Sequence, residues 1–333
     1  MENTNESNLN TENQIAPSQE MDTNVITPSS IPTQSAVMPS CGCDEQDRTA
    51  PLVYAIGTMG VDFGTDAVLD SFKFYMQGIP DQNGEAVQYP DPNNPYHLLN
   101  YLRGVEEAGI PPHMYETARI TWTISQNGTP IYAIQPSGSF SEQVFEMLVE
   151  FLEPVEEQDG ETHRMDLCSF PGEISGAVKL RSGQVVPVIR PNLRAMYNWR
   201  VVDLVEMVQS MIGEEGASGN QLNRVERLAN RLTYQLQNFG TSSADRALNH
   251  TATNLYNVSS VIANKLKDGF ELDTIKVERS MVCRPDSDCQ DVLVTFFNPS
   301  ARLEHAKHVF RFTVDVSKLI PVSIGTPRDW YEY

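Results

Sequence analysis

Cys41, Cys43, Cys283 and Cys289 are the residues whose type and spacing point most directly to chemistry. Cys41-Gly42-Cys43 sets two thiols on either side of one glycine. Cys283-Arg284-Pro285-Asp286-Ser287-Asp288-Cys289 holds two more on a short polar loop between strand-like runs. Each pair can grip one side of a zinc ion, which in structural sites takes a closed tetrahedral cage and leaves no position open for catalysis. Neither spacing is that of a Cys-x2-Cys knuckle. On spacing alone three readings stay open: a four-cysteine Zn2+ site, ordinary thiols, or a Cys283–Cys289 disulfide. Asp286 and Asp288 add negative charge beside the loop, which suits a cation. Cys168 lies in an apolar run and reads as a buried small hydrophobe.

A second constellation lies in a long helical segment, predicted over 243–267. Asp245 and Asn249 are four apart and share a face, and Arg246, Asn249, His250 and Asn254 are placed to line a pocket. The alternative is that they cap loops and satisfy backbone groups, with His250 partly buried and hydrogen-bonded. His305-x2-His308, beside Glu304, is half of a metal site or simply a polar turn before the last strand. His163 falls in an acidic loop and is expected to face solvent. No Gly-x-Ser-x-Gly elbow and no His-Glu-x-x-His is present, and no cysteine stands in a recognisable protease signature.

The elements that must position these groups follow from periodicity. Strands are predicted over 273–280, 291–298 and 306–316, where Val292, Val294 and Phe296 alternate with other residues and Val309, Phe310, Phe312, Val314 and Val316 form the last run. Leu52 to Ile56 reads as a buried strand, followed by a glycine-bearing turn through Gly57, Gly60 and Gly64. That spacing is neither Gly-x-Gly-x-x-Gly nor a P-loop, so close packing is the better reading than phosphate binding. Thr65 caps a helix, Asn94-Pro95 starts another that runs to about residue 108, and a third spans about 141–153. Gln126-Asn127-Gly128-Thr129 is a hairpin turn. More sheet is expected over 165–170 and 177–189, where Ser182-Gly183 turns a hairpin whose return strand, Val185 to Ile189, carries Pro187 at an edge or bulge. Helices over 201–212, 220–239 and 243–267 complete an α+β fold: an antiparallel or mixed sheet with packed helices.

The 333 residues carry a formal charge of −20, which excludes phosphate neutralisation as a binding mode and disfavours anionic membranes. Eight acids and one arginine fall in the first fifty residues, a polar stretch without aromatics. Residues 1–40 are expected to be a disordered tail, and 41–333 one folded domain. No apolar run approaches the ~20 residues of a bilayer crossing, and no secretory signal opens the chain, so the cytoplasm is the expected location.

Several ordered stretches resemble the C-terminal domain of the PatA/PatG-type cyanobactin maturation proteases. They are Leu52-Val53-Tyr54-Ala55-Ile56-Gly57 with Asp62-Phe63-Gly64, and Ser182-Gly183-Gln184-Val185-Val186-Pro187-Val188. Asp245-Arg246-Ala247-Leu248-Asn249 with Ala252-Thr253-Asn254 and the Cys283–Cys289 loop also match, as do Lys307-His308-Val309-Phe310-Arg311-Phe312 and Ile320-Pro321-Val322. The similarity runs from about Cys41 to the end, and both cysteine pairs look like family positions, which strengthens the zinc reading. In that family the domain follows a subtilisin-like protease that cuts or macrocyclises a precursor peptide, and its own role is unsettled. The protease triad has no counterpart in these residues. The resemblance therefore implies a non-catalytic, zinc-stabilised accessory module acting in trans on ribosomally made peptides, with precursor peptide or maturation enzymes as partners. The alternatives are a peptide-modifying enzyme with its pocket on the 243–267 helix, or an oligomerising scaffold such as a homodimer.

Overall fold

The structure, a computed structural model, describes residues 50–80, 84–152, 166–200, 236–254, 268–301 and 306–332, together with Tyr234 and Lys265. The tail, Cys41, Cys43, His163, His305 and the expected helix over 201–212 lie outside the described residues.

The α+β expectation is corrected by the architecture, which is mostly β and contains a closed five-stranded barrel. Its strands are β1 (Leu52–Asp62), β2 (Thr121–Gln126), β3 (Thr129–Ile134), β4 (Asp166–Lys179) and β5 (Val185–Pro191). They pair in the order β1-β2-β3-β5-β4, and β4 returns to β1 to close the ring; β6 (Tyr197–Arg200) is added on β4. All barrel pairings are antiparallel except β3 with β5.

Closure depends on β4, which sequence punctuation had divided in two. Pro171-Gly172 reads as a break, yet the strand runs through it. Its first part pairs with β6, its middle with β1 and its last part with β5. A bulge between Ile174 and Gly176 bends it from one neighbour to the next. Gly172 is required by close approach, because a Cβ there would lie 2.4 Å from the Arg190 carbonyl oxygen. Pro187 sits where β5 has only β4 beside it, because pairing with β3 begins at Val188, so the proline is at a local edge of a strand that is otherwise flanked on both sides. The glycine turn expected after Ile56 is likewise strand. β1 continues to Asp62, and a Cβ on Gly57 would stand 2.5 Å from the Ser125 carbonyl oxygen.

Helices α1 (Asp66–Tyr75), α2 (Pro95–Arg103) and α3 (Ser141–Phe151) start where their caps dictate for the first two. The Thr65 hydroxyl accepts from the Val68 amide, and the Asn94 side chain from the Tyr96 amide. α2 is shorter than expected because Gly104, at φ 74°, ends it. The Asn-Gly hairpin forms as read, with Asn127 and Gly128 both at positive φ.

A second sheet contains β7 (Glu271–Arg279), β8 (Cys289–Phe297) and β9 (Lys307–Asp315). β10 (Val322–Ser323) and β11 (Arg328–Glu332) both pair with β9. Alternation along β1 joins the two halves. Val53 and Ala55 belong to a core with Phe72, Leu102, Trp122 and Leu148, while Tyr54 and Ile56 belong to one with Val292, Phe296, Phe312 and Val314. Helix α4 (Ser243–Thr253) packs against β1, β7, β8 and β9. Among the described residues no helix is long and apolar enough to cross a membrane.

Candidate functional site

Helix α4 carries an unusual load of buried polar groups. Ser242 caps it, its hydroxyl accepting from the Asp245 amide at 3.0 Å. Arg246, Asn249, His250 and Thr251 are all buried within one and a half turns. Buried polar side chains must find partners or cost free energy, so their bonds tell what each is for.

Asn249 is wholly enclosed. Its Nδ2 donates to the Tyr54 carbonyl at 2.7 Å and to Asn238 Oδ1 at 2.9 Å, and its Oδ1 accepts from Asn238 Nδ2 at 2.9 Å. Asn238 Oδ1 also takes the Gly240 amide, and the Gly240 carbonyl accepts from the Tyr54 amide, both at 2.9 Å. Gly240 sits at φ 66°, where a Cβ would meet the Tyr54 oxygen at 2.0 Å. These contacts tie α4, the turn before it and β1 into one knot.

Arg246 points the other way. Its Nη2 donates to the Lys318 carbonyl, while its Nε has no hydrogen-bond partner. Burial lowers its pKa and the Asp288 carboxylate opposes that shift. Asp288 accepts from the Ser243 hydroxyl and, at 2.7 Å, from Gln290 Nε2. The cysteine loop is thereby fastened to the start of α4.

Within that loop, Asp286 takes a left-handed backbone (φ 66°) and the Asp288 carbonyl accepts the Val316 amide at 2.8 Å. Cys283 Sγ donates to the Ser287 carbonyl at 2.9 Å, and Cys289 is buried opposite Asp315. No disulfide joins them. The Cys289 thiol is pushed up to about 12, first by burial and then by Cys283 and the Asp315 carboxylate beside it. Two converging sulfurs with an adjacent carboxylate make a donor pair that a divalent cation would fit, since its charge would reverse that shift. Among the described residues no group of three metal-binding side chains comes together. His308 is separate from it: buried within β9, it meets Asp329 at 2.7 Å and stacks on Tyr331. Cys168 is buried in β4, as its apolar surroundings suggested.

His250 and Asn254 border open space. A cleft of about 450 Å³ lies against Tyr54, Arg194, Met196, Tyr197, His250 and Asn254. Asn254 also borders a neighbouring cavity of about 230 Å³ beside Ser323 and Pro327. His250 Nε2 is 3.3 Å from the Ser323 hydroxyl, and Asn254 Nδ2 donates to the His250 carbonyl at 2.8 Å. Burial lowers the His250 pKa to about 4, so its imidazole is neutral at physiological pH. Of the four helix residues singled out by sequence, two therefore border the cleft and two hold the fold. Arg194, Met196 and Tyr197 carry no local motif that would have marked them.

The match to known proteins follows the two halves of the chain. Residues 52–176 match the family model described as PatG Domain, and residues 215–330 the one described as PatG C-terminal. A solved structure described as "PatG Domain of Unknown Function" is 33% identical, with a TM-score of 0.70 over 85% of this chain and 100% of that one. None of the curated proteins matches. With two family models in order along the chain and that likeness throughout a solved relative, the chain belongs to the PatG family as a PatG-type domain of unknown function.

Proposed function

We propose that the protein is a non-catalytic accessory module that binds a precursor peptide, or an enzyme that processes it, in the maturation of ribosomally made cyanobactin-type peptides. Membership of the PatG family implies a role in PatG-related biosynthesis. The observation that carries the binding reading is the cleft beside α4, whose volume falls in the ~300–1,000 Å³ range of ligand sites. Burial lowers the His250 pKa to about 4, so this side chain is poorly matched to donating a proton near pH 7. Cys283 and Cys289, with Cys41 and Cys43, are the proposed ligands of a structural Zn2+, and reduced thiols of this kind belong in the cytoplasm.

Calorimetric titration of the full chain with a linear precursor peptide tests the binding role. A saturable isotherm is expected, and a flat trace at high peptide concentration rejects it. For the metal, Cys283→Ser retains a hydroxyl able to reach the Ser287 carbonyl, so a fall in stability reports the ion more than the lost hydrogen bond. Zinc content by mass spectrometry and the melting temperature should fall together. A wild-type protein without zinc, or a variant that melts unchanged, rejects the metal.

A further inference from the structure

We infer that the cleft beside α4 is a receptor for the free C-terminal carboxylate of a linear peptide, an inference that rests on the peptide-binding reading above and specifies which end is held.

Charge is the first argument. The chain has 44 acids against 24 bases, so an anion is repelled by most of its surface and needs a local cation to bind. Arg194 is that cation. It is exposed and lines the cleft, and its guanidinium has no ion-pair partner among the described residues. Among the described residues the lining contains no carboxylate. An anion is therefore the complementary occupant, and a planar carboxylate suits the guanidinium fork.

Position is the second argument. Arg194 stands in a short turn, Leu193–Ala195, whose start is fixed by the Asn192 side chain accepting the Arg194 amide at 3.1 Å. The Asn192 amide in turn donates to the Pro171 carbonyl of β4 at 2.9 Å. The cation is thus carried on the rim of the barrel. Tyr197, three residues on and half-exposed, brings a hydroxyl to the same wall.

The remaining lining selects what is attached to the carboxylate. Met196, Ala195 and Ile320 give apolar surface for a terminal side chain. Thr253 and Asn254 put polar groups within reach of a main chain, and the volume exceeds what a small acid alone would fill.

The test uses the full chain and an N-terminally fluorescein-labelled Gly-Gly-Val-Phe-Leu, as free acid and as C-terminal amide, read by fluorescence anisotropy. The acid should bind about ten-fold or more tighter than the amide, as one charge-assisted bidentate contact would give. In Arg194→Gln that gap should close, with the melting temperature unchanged because the residue is exposed. In wild type, raising the salt concentration should weaken the acid and spare the amide. Equal binding of acid and amide overturns the inference while the peptide-binding reading stands. So does a gap that survives in Arg194→Gln. Hexanoate displacing the labelled acid at concentrations equal to unlabelled peptide overturns the assignment to a peptide end. A precursor that binds by calorimetry while the labelled acid does not also overturns it, and leaves the broader reading intact.

Discussion

Asn249 and His250 are consecutive and both buried, yet they serve opposite regions of the molecule. Around Asn249 every side-chain atom is engaged by Asn238 or the Tyr54 carbonyl, and the next backbone approaches so closely that only Gly240 fits. Around His250 the ring contacts, to Ser323 and Asn254, are longer at 3.2–3.4 Å, and His250 borders the cleft. One helix thus has a face that closes the fold and a face that borders a cleft. Burial of a polar side chain does not by itself mark a site; what matters is whether its partners belong to its own backbone or leave a lined space beside it.

That contrast can be broken most severely at Gly240. Gly240→Ala puts a methyl into the Tyr54 carbonyl at a left-handed position, and a loss of about 4 kcal/mol or more is expected in urea unfolding. Asn249→Ala is next. It leaves the Tyr54 carbonyl and the Asn238 amide short of partners in a dry place, at about 2–4 kcal/mol. Either variant unfolding like wild type would dissolve the knot.

A pH titration sharpens the other face. The folded pKa of His250 is lowered from 6.5 to about 4, so between those values the unfolded chain binds the extra proton. The stability this contributes is present above pH 6.5 and is lost as pH falls towards 4, by about 2–3 kcal/mol. His250→Gln should flatten that part of the stability–pH curve, and an unchanged slope would assign it elsewhere. The smallest structural effect is expected for Arg194→Gln, which should alter carboxylate binding and leave unfolding untouched.

Much of the second sheet was legible because Val292, Val294 and Phe296 repeat at the period of a strand buried on one side. The Asn127-Gly128 turn was legible because few residues accept two successive positive φ values. The barrel was not. Its closure needs β4 to run past Pro171-Gly172 and to serve three neighbours, and no local signal distinguishes such a strand from two short ones. Arg194 and Tyr197 escaped for a related reason, since the cleft exists only where their turn meets α4 and the segment around Ile320.

Local chemistry thus determined the hairpins, the caps of α1 and α2, the family motifs and the pairing of Cys283 with Cys289 on one loop, because each depends on residues within a few positions of one another. The tertiary structure alone decided that the first sheet closes, that Asn249 holds β1 while His250 faces a cleft, and that Arg194 stands beside it. Those outcomes depend on close approaches between segments more than fifty residues apart, such as Asn249 to the Tyr54 carbonyl at |i−j| = 195, and spacing along the chain carries no record of them.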